Sequence, residues 1–162
     1  MYEIHDDYEP NAMFIITKSA NSNCVVYSAN LLPSNALDPS EPCRPSWVMF
    51  NNPKLPSGKH PTEELNVIER NTAYGVTCSP DPRGRPGHYE CAVASLTDRV
   101  FDVHVDEATG RPVAATTVNG VPNSTIRTVH VVMADSWIPR VDYIDITGVG
   151  EGGELIKERK QA

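Results

Sequence analysis

Glu69, Arg70, Asn71 and Tyr74 crowd a short stretch at a predicted helix-to-strand junction. An arginine guanidinium is a planar fork that matches a carboxylate or a phosphate, and a tyrosine joins an aromatic body to a polar tip. Such a set suits recognition of a small anion, or of an acidic group on a partner. Lys18 and Asn23, in or beside an early turn, and Trp47 are the residues that would complete a pocket around it. A plainer reading uses the same residues: Arg70 is neutralised by Glu69 or another acid, and Tyr74 fills the core.

A second set is Asp102, His104 and Asp106, spaced i, i+2, i+4. On a strand this spacing puts all three on one face, neighbours about 7 Å apart. A metal there needs a ligand from another strand, and His130 is the natural candidate. The same alternation, with Phe101, Val103 and Val105 on the opposite face, also describes a solvated polar face that binds no metal. His5, His60 and His88 fall in loops or at strand ends, where a histidine is usually exposed. No G-x-S-x-G and no cysteine set beside a histidine is present. Gly148 to Gly153 spells G-x-G-x-x-G, but the chain given ends too soon for a βαβ unit, and Glu151 would set a carboxylate among the phosphates. It reads as a flexible linker.

The elements that must position these residues are mostly strands. Met13–Thr17 and Cys24–Leu32 are apolar runs of strand length joined by a polar turn, hence a hairpin. Residues 33–61 hold seven of the fourteen prolines and read as surface loop, interrupted by a strand at Ser46–Phe50. Residues 61–75 read as the internal helix, with Thr62 as N-cap, Leu65, Ile68 and Thr72 as its buried stripe and Gly75 as its stop. Strands follow at 88–95, 99–106, 112–118, 125–134 and 140–147, with turns at Glu107–Gly110 and Asn119–Gly120. Residues 154–161 read as a short helix. The expected architecture is a mainly β domain over 12–148, an antiparallel sandwich or partly open barrel of about eight strands with one helix. A flexible lead-in, 1–11, and a flexible tail, 149–162, flank it.

Composition narrows the function classes. The 162 residues carry a formal net charge of −7, and the one basic cluster, Lys157, Arg159 and Lys160, is diluted by Glu154 and Glu158. Nucleic acid is therefore not an expected partner. No run approaches the ~20 apolar residues of a membrane helix. The first ten residues are acidic and polar, unlike a secretory signal, so a cytoplasmic address is expected, with Cys24, Cys43, Cys78 and Cys91 reduced. Cys78 and Cys91 flank a Pro/Gly loop and would face each other across a hairpin. In that compartment Asn123-Ser-Thr125 carries no meaning as a glycosylation site.

The stretch Phe14–Asn30, Trp47, Glu64–Gly75 and the ending Arg140–Gly148 resemble a domain-of-unknown-function family with bacterial and protozoan members. The Ala73-Tyr74-Gly75 triplet after a Glu-Leu helix is the most specific part, and the resemblance spans most of residues 13–158. It implies a shared domain and no activity or site residues. The preferred reading is a non-catalytic β domain that binds a small molecule or a protein partner, without a cofactor, near Arg70. The alternatives are a metal-dependent or hydrolytic enzyme on the His104/His130 face, and a scaffold that uses the proline-rich 33–61 segment.

Overall fold

The protein was analysed as a computed structural model that describes residues 11–162. The lead-in and His5 lie outside these residues, Asn11 excepted. In chain order the elements are β1 (Ala12–Lys18), β2 (Asn21–Ala29), β3 (Cys43–Val48), β4 (Thr62–Glu63), α1 (Val67–Thr72), β5 (Val76–Pro80) and β6 (Tyr89–Val93). β7 (Phe101–Val105), β8 (Pro112–Val118), β9 (Val121–Met133), β10 (Val141–Val149) and β11 (Leu155–Gln161) complete them. All the strands belong to one sheet, ordered β4-β3-β2-β1-β9-β8-β7-β6-β5, with β10 and β11 continuing from β9. This sheet curls into an open half-barrel, the partly open form of the expected β architecture.

The 13-residue β9 is the spine. It pairs with β8 through Val121–Thr125, with β1 through Thr128–Val131 and with β10 through Thr125–Met133. A strand has two edges, so β8 and β1 share one of them end to end while β10 takes the other. The β1–β9 ladder is parallel and joins segments far apart in the chain.

β1 and β2 are buried on both faces, which is why they read as unbroken apolar runs rather than alternating ones. Phe14, Ile16, Val25 and Tyr27 enter the main core inside the curl; Ile15, Cys24, Val26 and Val48 form a second cluster on the other face. Inside, the Phe14 ring stacks on Tyr27 at 4.5 Å and on Phe101 at 5.2 Å. Such aromatic pairs contribute about 0.5–1.5 kcal/mol each beyond the area they bury.

Three expectations are corrected. The helix is α1 alone, and Thr62 belongs to the two-residue strand β4. Asn66 is the N-cap: its side chain accepts from the Glu69 amide at 2.9 Å, and the Glu69 carboxylate accepts from the Asn66 amide at 2.9 Å. This reciprocal capping box starts the helix four residues later than Thr62 would. Leu65 is buried but Ile68 is 74% exposed, so the stripe that a longer helix would have packed does not exist. The 154–161 segment is not a helix but β11, in antiparallel register with β10 from Tyr143–Gln161 to Val149–Leu155. Its Glu and Lys residues favour helix locally, and an open strand edge overrides that weak preference. Nor are its charges merely solvated: Arg159 and Lys157 bind Asp145, Lys160 binds Asp98, and Glu158 binds Arg99. Of the glycine-rich 148–153 stretch, Gly148 and Val149 end β10 and the remainder is the turn to β11, closed by Gly150 N–H to the Glu154 carbonyl at 2.8 Å.

The third correction concerns the thiols. Cys78 and Cys91 do face each other across a hairpin, β5–β6, and they form a disulfide. Cys24 and Cys43 are free and buried, and burial pushes both thiols up to about 12, so they act as small hydrophobes.

Candidate functional site

The curl brings the two ends of the sheet, β3 with β4 and β5, towards each other without joining them. Between them lies a cleft of about 730 Å³, lined by Cys43–Ser46 of β3, Thr62–Glu64, Arg70 and Asn71 of α1, Gly75, and Val76–Cys78 of β5. Its openness has a backbone cause. The Asn30 amide donates to the Pro42 carbonyl, so the backbone N–H and C=O groups of even-numbered β3 residues face β2, while the backbone groups of Cys43, Pro45 and Trp47 point away from it. On β5, the Ala94 amide donates to Gly75 and the Asp81 amide to His88, so Val76, Cys78 and Pro80 point outward. Each facing edge therefore carries a proline at an outward position, where a strand proline is tolerated and where it denies a donor to any neighbour. Pro45 lines the cleft itself and offers no N–H to it. By the same parity Cys78 and Cys91 are a non-hydrogen-bonded pair, the closest kind, with Cα atoms 4.1 Å apart.

The junction above the seam is held from the core. The buried Tyr27 hydroxyl donates to the Tyr74 carbonyl at 2.8 Å, and Trp47 meets the Tyr74 ring edge-on at 5.3 Å. The Trp47 indole N–H donates to Glu69 Oε2 at 3.1 Å. Burial, then the Glu69 charge, raises the Tyr74 hydroxyl above its ordinary value. Gly75 passes so close to α1 that a Cβ there would sit 1.7 Å from the Arg70 carbonyl oxygen. This explains the glycine of the Ala73-Tyr74-Gly75 triplet: the chain must double back beneath the helix without a side chain.

The residues singled out from the sequence thus separate. Arg70 and Asn71 line the cleft, and among the described residues Arg70 makes a 3.7 Å contact with the exposed Glu64. Glu69, Tyr74 and Trp47 are structural, tied up in the cap, the edge-on ring pair and the indole bond. Lys18 and Asn23 do not line this cleft; the Asn23 side-chain Oδ1 accepts from the Asn51 backbone N–H at 3.1 Å. Arg44, with Glu41 and Glu63, was not anticipated as part of the lining.

The second set also regroups. His130 turns away to Thr17, its Nδ1 2.7 Å from the hydroxyl, and does not join Asp102 and His104. Their partner is His88. The β6–β7 register pairs Tyr89 with Val103 and Glu90 with Asp102; continued by one step, it sets His88 opposite His104. The two imidazoles stack at 4.4 Å, and His88 Nδ1 lies 2.9 Å from Asp102 Oδ1 and 3.1 Å from Oδ2. His104 Nδ1 lies 3.5 Å from Asp102 Oδ2. Arg85 joins from the other side, 3.2 Å from Asp102 and 2.7 Å from Asp81. Burial opposes the Asp102 charge, yet the bonds from His104 and His88 outweigh it and bring its carboxyl down to about 2. The Asp102 hydrogen bond holds His104 above the ordinary histidine value against the pull of burial. The signal that could have found His88 was present: a strand opening at Tyr89 that pairs with Phe101–Val105 fixes its opposite number.

Among the described residues no helix is long and apolar enough to cross a membrane. Comparison with curated proteins and with solved structures finds no match. The half-barrel, with its Tyr74-Gly75 junction and its β10 ending, falls almost wholly inside residues 14–159, which match the family described as domain of unknown function (DUF4833), and the chain belongs to that family.

Proposed function

We propose that this chain is a non-catalytic binding domain that takes an extended, carboxylate-bearing segment of a protein partner into the seam between β3 and β5. The observation that carries this reading is the cleft, with Arg70 and Asn71 on its wall. A 3.7 Å pair with a side chain as exposed as Glu64 is worth less than about 1 kcal/mol, so Arg70 exchanges it readily for a better carboxylate. Outward backbone groups at Val76 and Cys78 supply the main-chain half of strand addition, and Arg70 supplies the acidic preference. The mixed lining, with Glu41, Glu63 and Glu64 beside the arginines, suits a segment that also carries donors more than it suits a bare anion.

Fluorescent heptapeptides of extended sequence, with and without one acidic residue, test this by anisotropy. The acidic peptides are expected to bind, to slow hydrogen exchange at the Val76 and Cys78 amides, and to lose about tenfold in affinity in Arg70→Ala. Binding that ignores both the acidic residue and Arg70 would overturn the reading. The Cys78–Cys91 bridge, at the wall of the seam, supports an oxidising compartment rather than the cytoplasmic address expected from the N-terminal residues. The proline-rich segment is less favoured as a contact surface, because Trp47 is half-buried and engaged with Tyr74 and Glu69.

A further inference from the structure

We propose that His88, Asp102 and His104 form a site for a first-row divalent metal of the zinc class. Their ligand atoms all lie within 4.8 Å of one another, two from β7 and one from the residue just before the paired strand β6. Zinc–nitrogen and zinc–oxygen bonds of ~2.0–2.2 Å put two ligands of a tetrahedral site ~3.4 Å apart. The contacts of Asp102 with His88 at 2.9 and 3.1 Å and with His104 at 3.5 Å bracket that spacing. The two imidazoles are borderline nitrogen donors, which suits the set, with its one carboxylate, to zinc, cobalt or nickel rather than to calcium or magnesium.

The backbone is largely in place, since His104 lies on β7 and His88 immediately precedes β6, the strand hydrogen-bonded to it. What must change is ring orientation. The imidazoles are 19° from parallel, and each turns about its own side-chain torsion so that the lone pairs converge. Arg85 is the competing cation on Asp102, but its shorter bond is to Asp81, where it remains when Asp102 turns to a metal. The surroundings favour a cation: Asp106 and Glu107 border the adjoining groove of about 410 Å³, which runs from His88 and His104 to Asn35. Three protein ligands facing a groove leave the fourth position to water or an exogenous ligand, the pattern of an open rather than a closed zinc site.

The test is titration of the oxidised, full-length protein with Zn²⁺ and Co²⁺, read by native mass spectrometry and by the cobalt d–d spectrum. One equivalent is expected, with a nitrogen/oxygen-ligated cobalt spectrum. Affinity is expected to fall by about tenfold or more in His88→Ala and in His104→Ala and to stay unchanged in His130→Ala. Far-ultraviolet circular dichroism on each variant confirms that the sheet is intact. No bound equivalent, or one that survives in the folded His88→Ala/His104→Ala double variant as an adventitious ion only, would overturn the proposal.

Discussion

Arg70 and Asn71 reach the seam from neighbouring positions on one short helix, whereas His88 and Asp102 meet across fourteen residues because two strands pair in register. The first grouping was visible in the sequence, and the structure broke most of it up: Glu69, Tyr74 and Trp47 went to capping and packing. The second was half visible, and the structure completed it with a histidine that the sequence set at a strand end and left out of the group. Sequence proximity therefore brought side chains near each other without aiming them at one point. Register, which fixes both distance and face, aimed them.

The contrast can be broken at the seam first. Gly75→Ala forces a Cβ into the Arg70 carbonyl, where only backbone can yield. We expect a loss of about 4 kcal/mol in urea unfolding, with α1 and the cleft disturbed. Reduction of Cys78–Cys91 releases a link between residues thirteen apart and is expected to cost about 3 kcal/mol, read as a fall in melting temperature under reductant. If the bridge anchors the seam edge, hydrogen exchange will quicken at β5 before it does at β7. Asn66→Ala removes the capping box and is expected to cost about 1 kcal/mol, with the histidine face unchanged by nuclear magnetic resonance.

At the other end, Arg99 and Lys160 hold Asp98 at the entry to β7. Its own bond to Arg99 comes first, burial opposes, and its carboxyl falls to about 2. A folded value below the ordinary 3.8 means that this stabilisation is fully present above pH ~4 and is lost as pH falls towards 2. With partial exposure discounted, the loss is about 1 kcal/mol, and Lys160→Ala should reduce it in acid-unfolding curves. Arg70→Ala is the smallest effect on stability, under about 0.5 kcal/mol, and so separates binding from folding most cleanly.

Strand existence was legible almost throughout, because burial on two faces gives runs such as Met13–Thr17 and burial on one face gives alternation such as Phe101–Val105. The helix was legible in place and not in length: Thr62 and Asn66 are both good caps, and only the pairing of Thr62–Glu63 with β3 decides between them. The 154–161 segment was misread because its composition favours helix while its partner, β10, has an edge to fill.

The amino-acid order thus determined the β class, the Asn119-Gly120 and Glu107–Gly110 turns and the Cys78–Cys91 facing pair. These depend on local backbone conformation and on period-two patterning, which neighbouring residues carry. Only the tertiary structure decided that β1 runs parallel to β9, that two proline-bearing edges face each other without pairing, and that His88 rather than His130 stands beside Asp102. Those outcomes depend on which distant edges meet and in what register, and that is set by the closure of the whole sheet rather than by any segment of it.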